Sequence, residues 1–176
     1  AERLARDGWQ VVVAARGEAA VRDAIPELPG PGHETLTLDV GDAAAWAGAA
    51  ERLAGLDGVV HAAGVLGPIG SADDVDPAAF ADTLRVNVVG TFLAARTTLP
   101  ALRASGGAFV AFSGGGATGP LPRFDAYATS KAAVVRLVEN LAADGLRANA
   151  VAPGFVATAM HDATLAAGAD RVGAAY

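Results

Sequence analysis

Five short runs of β-branched and small residues recur along the chain, each divided from the next by a stretch long enough for a helix or a wide loop. They are QVVVAAR (10–16), ETLTLDV (34–40), DGVVHAAG (57–64), GAFVAFSGGG (107–116) and LRANAVAP (146–153). Two of the runs, 57–64 and 107–116, are apolar and end in small residues, as strands covered on both faces do. Strands alternating with helical segments build βαβ units, and these assemble into a doubly wound α/β fold around a parallel sheet.

The punctuation supports this reading. Gly8 suits a helix C-terminus ahead of the first run, and the PGPG segment at 29–32 turns the chain into the second. Asp42 is expected to cap a helix that sets Trp46, Ala49, Ala50 and Leu53 on one face. Asp76-Pro77 marks the start of a long helix reaching toward Arg103, bent at Pro100, and 126–143 forms another. No internal repeat or linker divides the chain, so residues 1–176 read as a single domain. A sheet of this kind binds ligands beyond the carboxyl ends of its strands. That directs attention to residues 14–17, 39–42, 61–67, 113–119 and 152–158.

Composition removes several function classes. A net charge of −6, with arginines scattered singly, leaves no basic surface for nucleic acid. The absence of cysteine excludes disulfides, a thiolate nucleophile and zinc–thiolate sites, and suits a cytoplasmic protein. His33, His61 and His161 lack metal-ligand spacing, so no metal is expected. No apolar run is long enough to span a membrane, and no signal peptide opens the chain. The acids of ADDVD (72–76) read as a solvated turn and a helix cap.

Arginine supplies every cation but one. The single lysine, Lys131, follows Tyr127 by four residues in FDAYATSKAAVV, so both side chains leave one face of a helix. A phenol with an ordinary pKa near about 10 is a poor acid–base at neutral pH, and a nearby ammonium favours its anion. Lysine does this as a compact charge on a long stem, where arginine's rigid fork is a poor substitute. Taken alone, such a pair is also what an ordinary solvated helix face presents.

The wider pattern adds specificity. Ser113, thirteen intervening residues, then Tyr127 and Lys131, together with RVNVVGTF before and NAVAPGFVAT after, resemble the short-chain dehydrogenase/reductase family from the first helix to about Thr158. The resemblance implies a Rossmann-like fold and hydride transfer between a nicotinamide dinucleotide and a carbonyl or alcohol carbon. It makes Tyr127 the general acid–base and has Lys131 tune the phenol and hold the nicotinamide ribose. It makes Ser113 the donor polarising the substrate carbonyl, and Asn87 the anchor of a water leading from Lys131 to solvent. Asp39 and Val40 would meet the adenine, and Ala62, Ala63 and Gly64 the ribose. Pro153, Gly154, Val156 and Thr158 would lie under the nicotinamide. Ala15 stands where an acidic residue would bind an adenosine ribose diol, and Arg16 follows it, so NADP(H) is favoured over NAD(H). Substrates compatible with the pattern are 3-oxoacyl or polyketide ketones and small ketones. GVLGPIG (64–70), GPLPRFD (119–125) and the tail from Ala159 are expected to line a largely apolar substrate side. The resemblance also implies a homodimer or homotetramer packed through the helices at 77–103 and 126–142. A non-catalytic dinucleotide-binding regulator with the same fold is the alternative, and an inactive fragment is a third possibility.

Four features depart from the family pattern. The family's first strand and its T-G-x-x-x-G-x-G turn are absent, and the last strand is too, so a further strand and turn are expected ahead of a chain that opens inside a helix. Ser113 lies one residue further from Tyr127 than the commonest spacing, which lands on Gly114. HAAG (61–64) replaces the usual amides with His61 and Ala62. The LAADGLRAN join is short enough that a turn could be missing there.

Overall fold

The computed structural model describes residues 1–154 and 156–172. Every strand expected from the sequence forms. They are β1 (Val12–Ala15), β2 (Glu34–Thr37), β3 (Gly58–His61), β4 (Ala108–Phe112) and β5 (Arg147–Val151). All neighbouring pairs run parallel. The strands fall into two sheets, however, β1-β2 and β3-β4-β5. Each strand is followed by a loop and a helix that carries the chain back.

The helices are α1 (Glu2–Arg6), α2 (Glu18–Ala24), α3 (Ala43–Ala49), α4 (Pro77–Leu84), α5 (Gly90–Ser105), α6 (Asp125–Ala143), α7 (Ala159–Ala167) and α8 (Ala169–Val172). Asp42 caps α3 by accepting from Ala44 N (2.8 Å) and Ala45 N (3.3 Å). α3 then tightens into a 3₁₀ turn over Ala50–Leu53, which turns Ala50 to solvent while Trp46, Ala49 and Leu53 stay buried. Asp76 caps α4 through Ala78 N at 2.9 Å, with Pro77 at the first helical position. Between α6 and β5 only Asp144–Leu146 intervene. Gly145 at φ 86° closes the join, and Leu146 N donates to Leu141 O, so no turn is missing there.

One irregularity was not foreseen. The long helix is interrupted not at Pro100, which lies inside α5, but by a π-helical turn over Arg85–Val89. Such turns insert a residue into a helix and recur at functional sites.

A single core joins both sheets. Leu36, Leu38, Trp46 and Leu53 pack with Leu93, Leu102, Phe109, Val134 and Val138, so α3, α5 and α6 cover one face. The opposite face is barer. Val60, mid-strand in β3, is 53% exposed, and Val151 at the end of β5 is also open.

Candidate active site

α6 begins beside the end of β4 and presents Tyr127 and Lys131 one turn apart. Lys131 is only 6% exposed. Its Nζ donates to Phe112 O at 2.9 Å and lies 5.5 Å from the centroid of the Tyr127 ring, within cation–π range. Burial pulls the lysine pKa below its ordinary value. A cation removed from water acts on its neighbours more strongly than an exposed one, because little solvent screens it.

The π turn holds Asn87, which is 1% exposed. Its Oδ1 accepts from Val65 N at 2.8 Å, and its Nδ2 donates to Val65 O and to Ser130 Oγ, both at 2.9 Å. Ser130 in turn donates to the backbone oxygen of Tyr127 at 2.7 Å. Asn87 therefore ties the loop after β3 to the turn of α6 that carries the phenol. Gly64 sits inside this clamp: a β-carbon there would stand 3.3 Å from Asn87 Oδ1 and 3.5 Å from Lys131 Nζ. Ser130 was not singled out from the sequence, although its position three residues after Tyr127 puts it on the same helical face.

Ser113 is buried and continues the face of β4 set by Phe109 and Ala111. Its N–H donates to Val151 O at 2.9 Å, extending the pairing with β5. The residue facing the phenol is Gly114. A β-carbon built on it would overlap the Tyr127 hydroxyl oxygen and stand 3.1 Å from Cζ. The position that the commoner spacing reaches is thus the one against the phenol, and it carries no side chain.

His61 ends β3. It is 6% exposed, stacks on Phe109 at 6.4 Å and 17°, and its Nε2 has no hydrogen-bond partner. Burial, with the Lys131 ammonium as a second cause, pushes its pKa from 6.5 down to about 4. The ring is therefore neutral near pH 7.

The residues named for a dinucleotide all follow strand ends. Arg16 is exposed just past β1. Past β2, Asp39 accepts from Gly41 N at 2.8 Å and lies 3.6 Å from Arg85 Nη1. Val40 accepts from Trp46 Nε1 at 2.9 Å and is approached closely by Gly90, where a β-carbon would stand 3.0 Å from Val40 Cγ2. Ala62 and Ala63 are exposed past β3. Past β5 come Pro153, Gly154 at φ 73°, the exposed Val156 and Thr158, which precedes α7; Phe155 lies outside the described residues. Gly64 leaves bare backbone beside the buried Lys131 ammonium, the pairing of groups that a ribose diol would need. The half-buried Asp39–Val40 segment is where the resemblance would seat an adenine. Among the described residues no group of three His, Asp or Glu could hold a metal ion. A separate groove at the outer edge of β2 includes Arg22, His33, Glu34 and Arg52. Its arginines are already paired, Arg52 with Glu34 and Arg22 with Asp23.

A family model described as Enoyl-(Acyl carrier protein) reductase matches residues 1–174. The Inactive 2-(S)-hydroxypropyl-CoM dehydrogenase 2 of Xanthobacter autotrophicus is 36% identical, over 90% of this chain and 72% of its own length. The chain belongs to the short-chain dehydrogenase/reductase family. A 3-ketoacyl-ACP reductase structure from Sinorhizobium meliloti shares 36% identity at a TM-score of 0.81, covering 89% of this chain and 66% of that one. A gluconate 5-dehydrogenase from Burkholderia cenocepacia, solved with NADP and tartrate, shares 26% at 0.80, covering 93% and 69%. Matches to the curated short-chain dehydrogenase/reductase relatives span from 46% to 72% of their lengths. Family members bind a nicotinamide dinucleotide.

Proposed function

We propose that the protein is an NADP(H)-dependent oxidoreductase acting on ketones and secondary alcohols. The observation that carries this reading is the buried Lys131 Nζ, 5.5 Å from the Tyr127 ring and fixed by Phe112 O. The bound nicotinamide supplies or accepts the hydride. Tyr127 gives its proton to the carbonyl oxygen in reduction and takes it back in oxidation. Lys131 favours the phenolate and reaches the ribose, while Asn87 holds the loop between them. Ser113 stays in the reading as the hydroxyl nearest in sequence to the residue facing the phenol. Among substrates, 3-oxoacyl or polyketide ketones and small ketones suit the apolar loops.

Arg16, exposed where a carboxylate would repel a 2′-phosphate, supports NADP(H) over NAD(H). Val89 and Phe92, exposed at the start of α5, support association into a homodimer or homotetramer. A cysteine-free composition suits a cytoplasmic setting. The split between β1 and β3, with Val60 bare beside it, supports a partial domain whose sheet takes a further parallel strand.

The test is NADPH oxidation with a panel of ketones. Tyr127→Phe should lower turnover by about 10²-fold or more while NADPH binding, read by fluorescence, is unchanged. Replacing Arg16 by Ala should reduce the NADPH-to-NADH preference about tenfold. The competing reading is a dinucleotide binder without turnover, favoured by Gly114 at the phenol and by a relative named inactive. NADPH binding with no turnover of any ketone would establish that reading instead.

A further inference from the structure

Among the described residues, Arg123 alone has a positive φ without being glycine, at 69°. It stands third in a turn, Leu121 to Phe124, that Phe124 N closes by donating to Leu121 O at 3.2 Å. Pro122 fills the second position, where its locked negative φ is suited, and the third is one where glycine or asparagine ordinarily stands. A β-carbon strains the backbone there, and such a turn persists only where its surroundings hold it. Two main-chain contacts do part of this. Arg123 O accepts from Gly70 N at 2.9 Å, and Phe124, 1% exposed, is anchored in the core. Phe124 O then accepts from Ala128 N at 2.8 Å, which closes the first turn of α6 around Tyr127.

The side chain reaches elsewhere. Arg123 Nη1 donates to Asp170 O in α8 at 3.1 Å, across 47 positions of the sequence. α8 spans four residues, too few to be stable as a helix by itself. The buried Val172, whose N–H donates to Gly168 O at 3.0 Å, and the bond from Arg123 both hold it. One residue thus joins three segments. It meets the loop after β3 through its carbonyl, α6 through the turn it makes, and α8 through its guanidinium.

We propose that Arg123 is a positioning residue that couples the seating of α7–α8 to the start of α6: its guanidinium holds α8, and that bond in turn maintains the left-handed turn that presents Tyr127. The element has two arrangements, α8 seated with Arg123 left-handed and α8 released with the turn relaxed. Strain sets the direction of the coupling, because without the bond to Asp170 the backbone gains by leaving the left-handed region. The coupling stands on these contacts, and only its turnover readout rests on the oxidoreductase reading.

The experiment compares Arg123→Ala and Arg123→Gly in the full chain, by amide hydrogen exchange and by turnover of a ketone with NADPH. Both variants lose the guanidinium, so exchange at the Val172 amide in α8 should speed by about tenfold or more in each. Alanine keeps the strain and glycine does not. Exchange of the Ala128 amide, which reports the first turn of α6, should therefore rise about tenfold in Arg123→Ala and stay near the unaltered rate in Arg123→Gly. Turnover should follow the same order, with kcat falling about tenfold in the alanine variant and less in the glycine variant. Arg123→Met, which keeps the aliphatic stem and the strain but has no donor, replaces the alanine variant if that one does not fold. A side chain that merely braced α8 would leave the strained and glycine variants alike at Ala128, and that result overturns the proposal. Unchanged exchange at Val172 in every variant overturns it as well. Exchange decides the proposal without any turnover, whereas bound NADPH with no turnover of any ketone sinks the oxidoreductase reading alone.

Discussion

Acidification should destabilise this protein through one buried ring. His61 is neutral in the folded chain because its site offers Nε2 no partner, packs the ring on Phe109 and adds the Lys131 ammonium nearby. In the unfolded chain the imidazole titrates at its ordinary 6.5, and in the folded chain at about 4. Between these values the unfolded state binds more protons, so stability falls as pH falls through that window and levels off below it. Above the upper value the group has no pH-dependent effect. The full difference corresponds to about 3 kcal/mol, at about 1.4 kcal/mol per pKa unit, and roughly 2 kcal/mol of it is lost by about pH 5. For a domain of this size that is a fall in Tm of roughly 4–8 °C. Carboxylates titrate over the same range, so the assay compares urea unfolding of the unaltered protein and of His61→Gln from about pH 8 to about pH 5. The difference between the two stabilities should shrink or reverse by about 2 kcal/mol as pH falls. Parallel curves across that range would refute the reasoning, because they would mean the ring gains its proton as easily folded as unfolded.

Three further outcomes follow from particular contacts. Asn87→Ala should cost roughly 2–4 kcal/mol by stranding Val65 N–H, Val65 O and Ser130, and should speed hydrogen exchange at the Val65 amide. Gly90→Ala should cost about 1–3 kcal/mol in thermal unfolding, since its β-carbon would press on Val40 Cγ2 at 3.0 Å and Val40 O at 3.1 Å. Lys131→Arg should lower turnover about 10²-fold with little change in far-ultraviolet circular dichroism, because a planar fork cannot reproduce a compact ammonium between Phe112 O and the Tyr127 ring.

The five strands were legible because buried parallel strands write themselves as short β-branched runs, and α3 and α4 were legible because Asp42 and Asp76 cap them. The π turn was not, since RVNVV has ordinary helical composition and the partners that Asn87 meets across the loop are remote in sequence. The Tyr127–Lys131 pairing followed from helical spacing alone. Gly114 could be suspected from spacing, but only the direction of its missing side chain assigns it to the phenol. His61 read as a substitution in a loop motif, yet its environment is set by Phe109 and Lys131, which are remote in sequence.

The wide turn between α4 and α5 has a mechanical corollary. Each residue of an α-helix advances the chain by about 100° of rotation. The wide turn fits one extra residue into about the rotation of a regular one, so removing one residue from 85–89 would leave a regular, unbroken rod with α4 and α5 still in phase. Thr83 would keep its buried slot, while the local bulge that presents Asn87 to Val65 would be gone. Such a deletion would pass a helix-content measurement unnoticed and still unlatch the loop that borders Lys131.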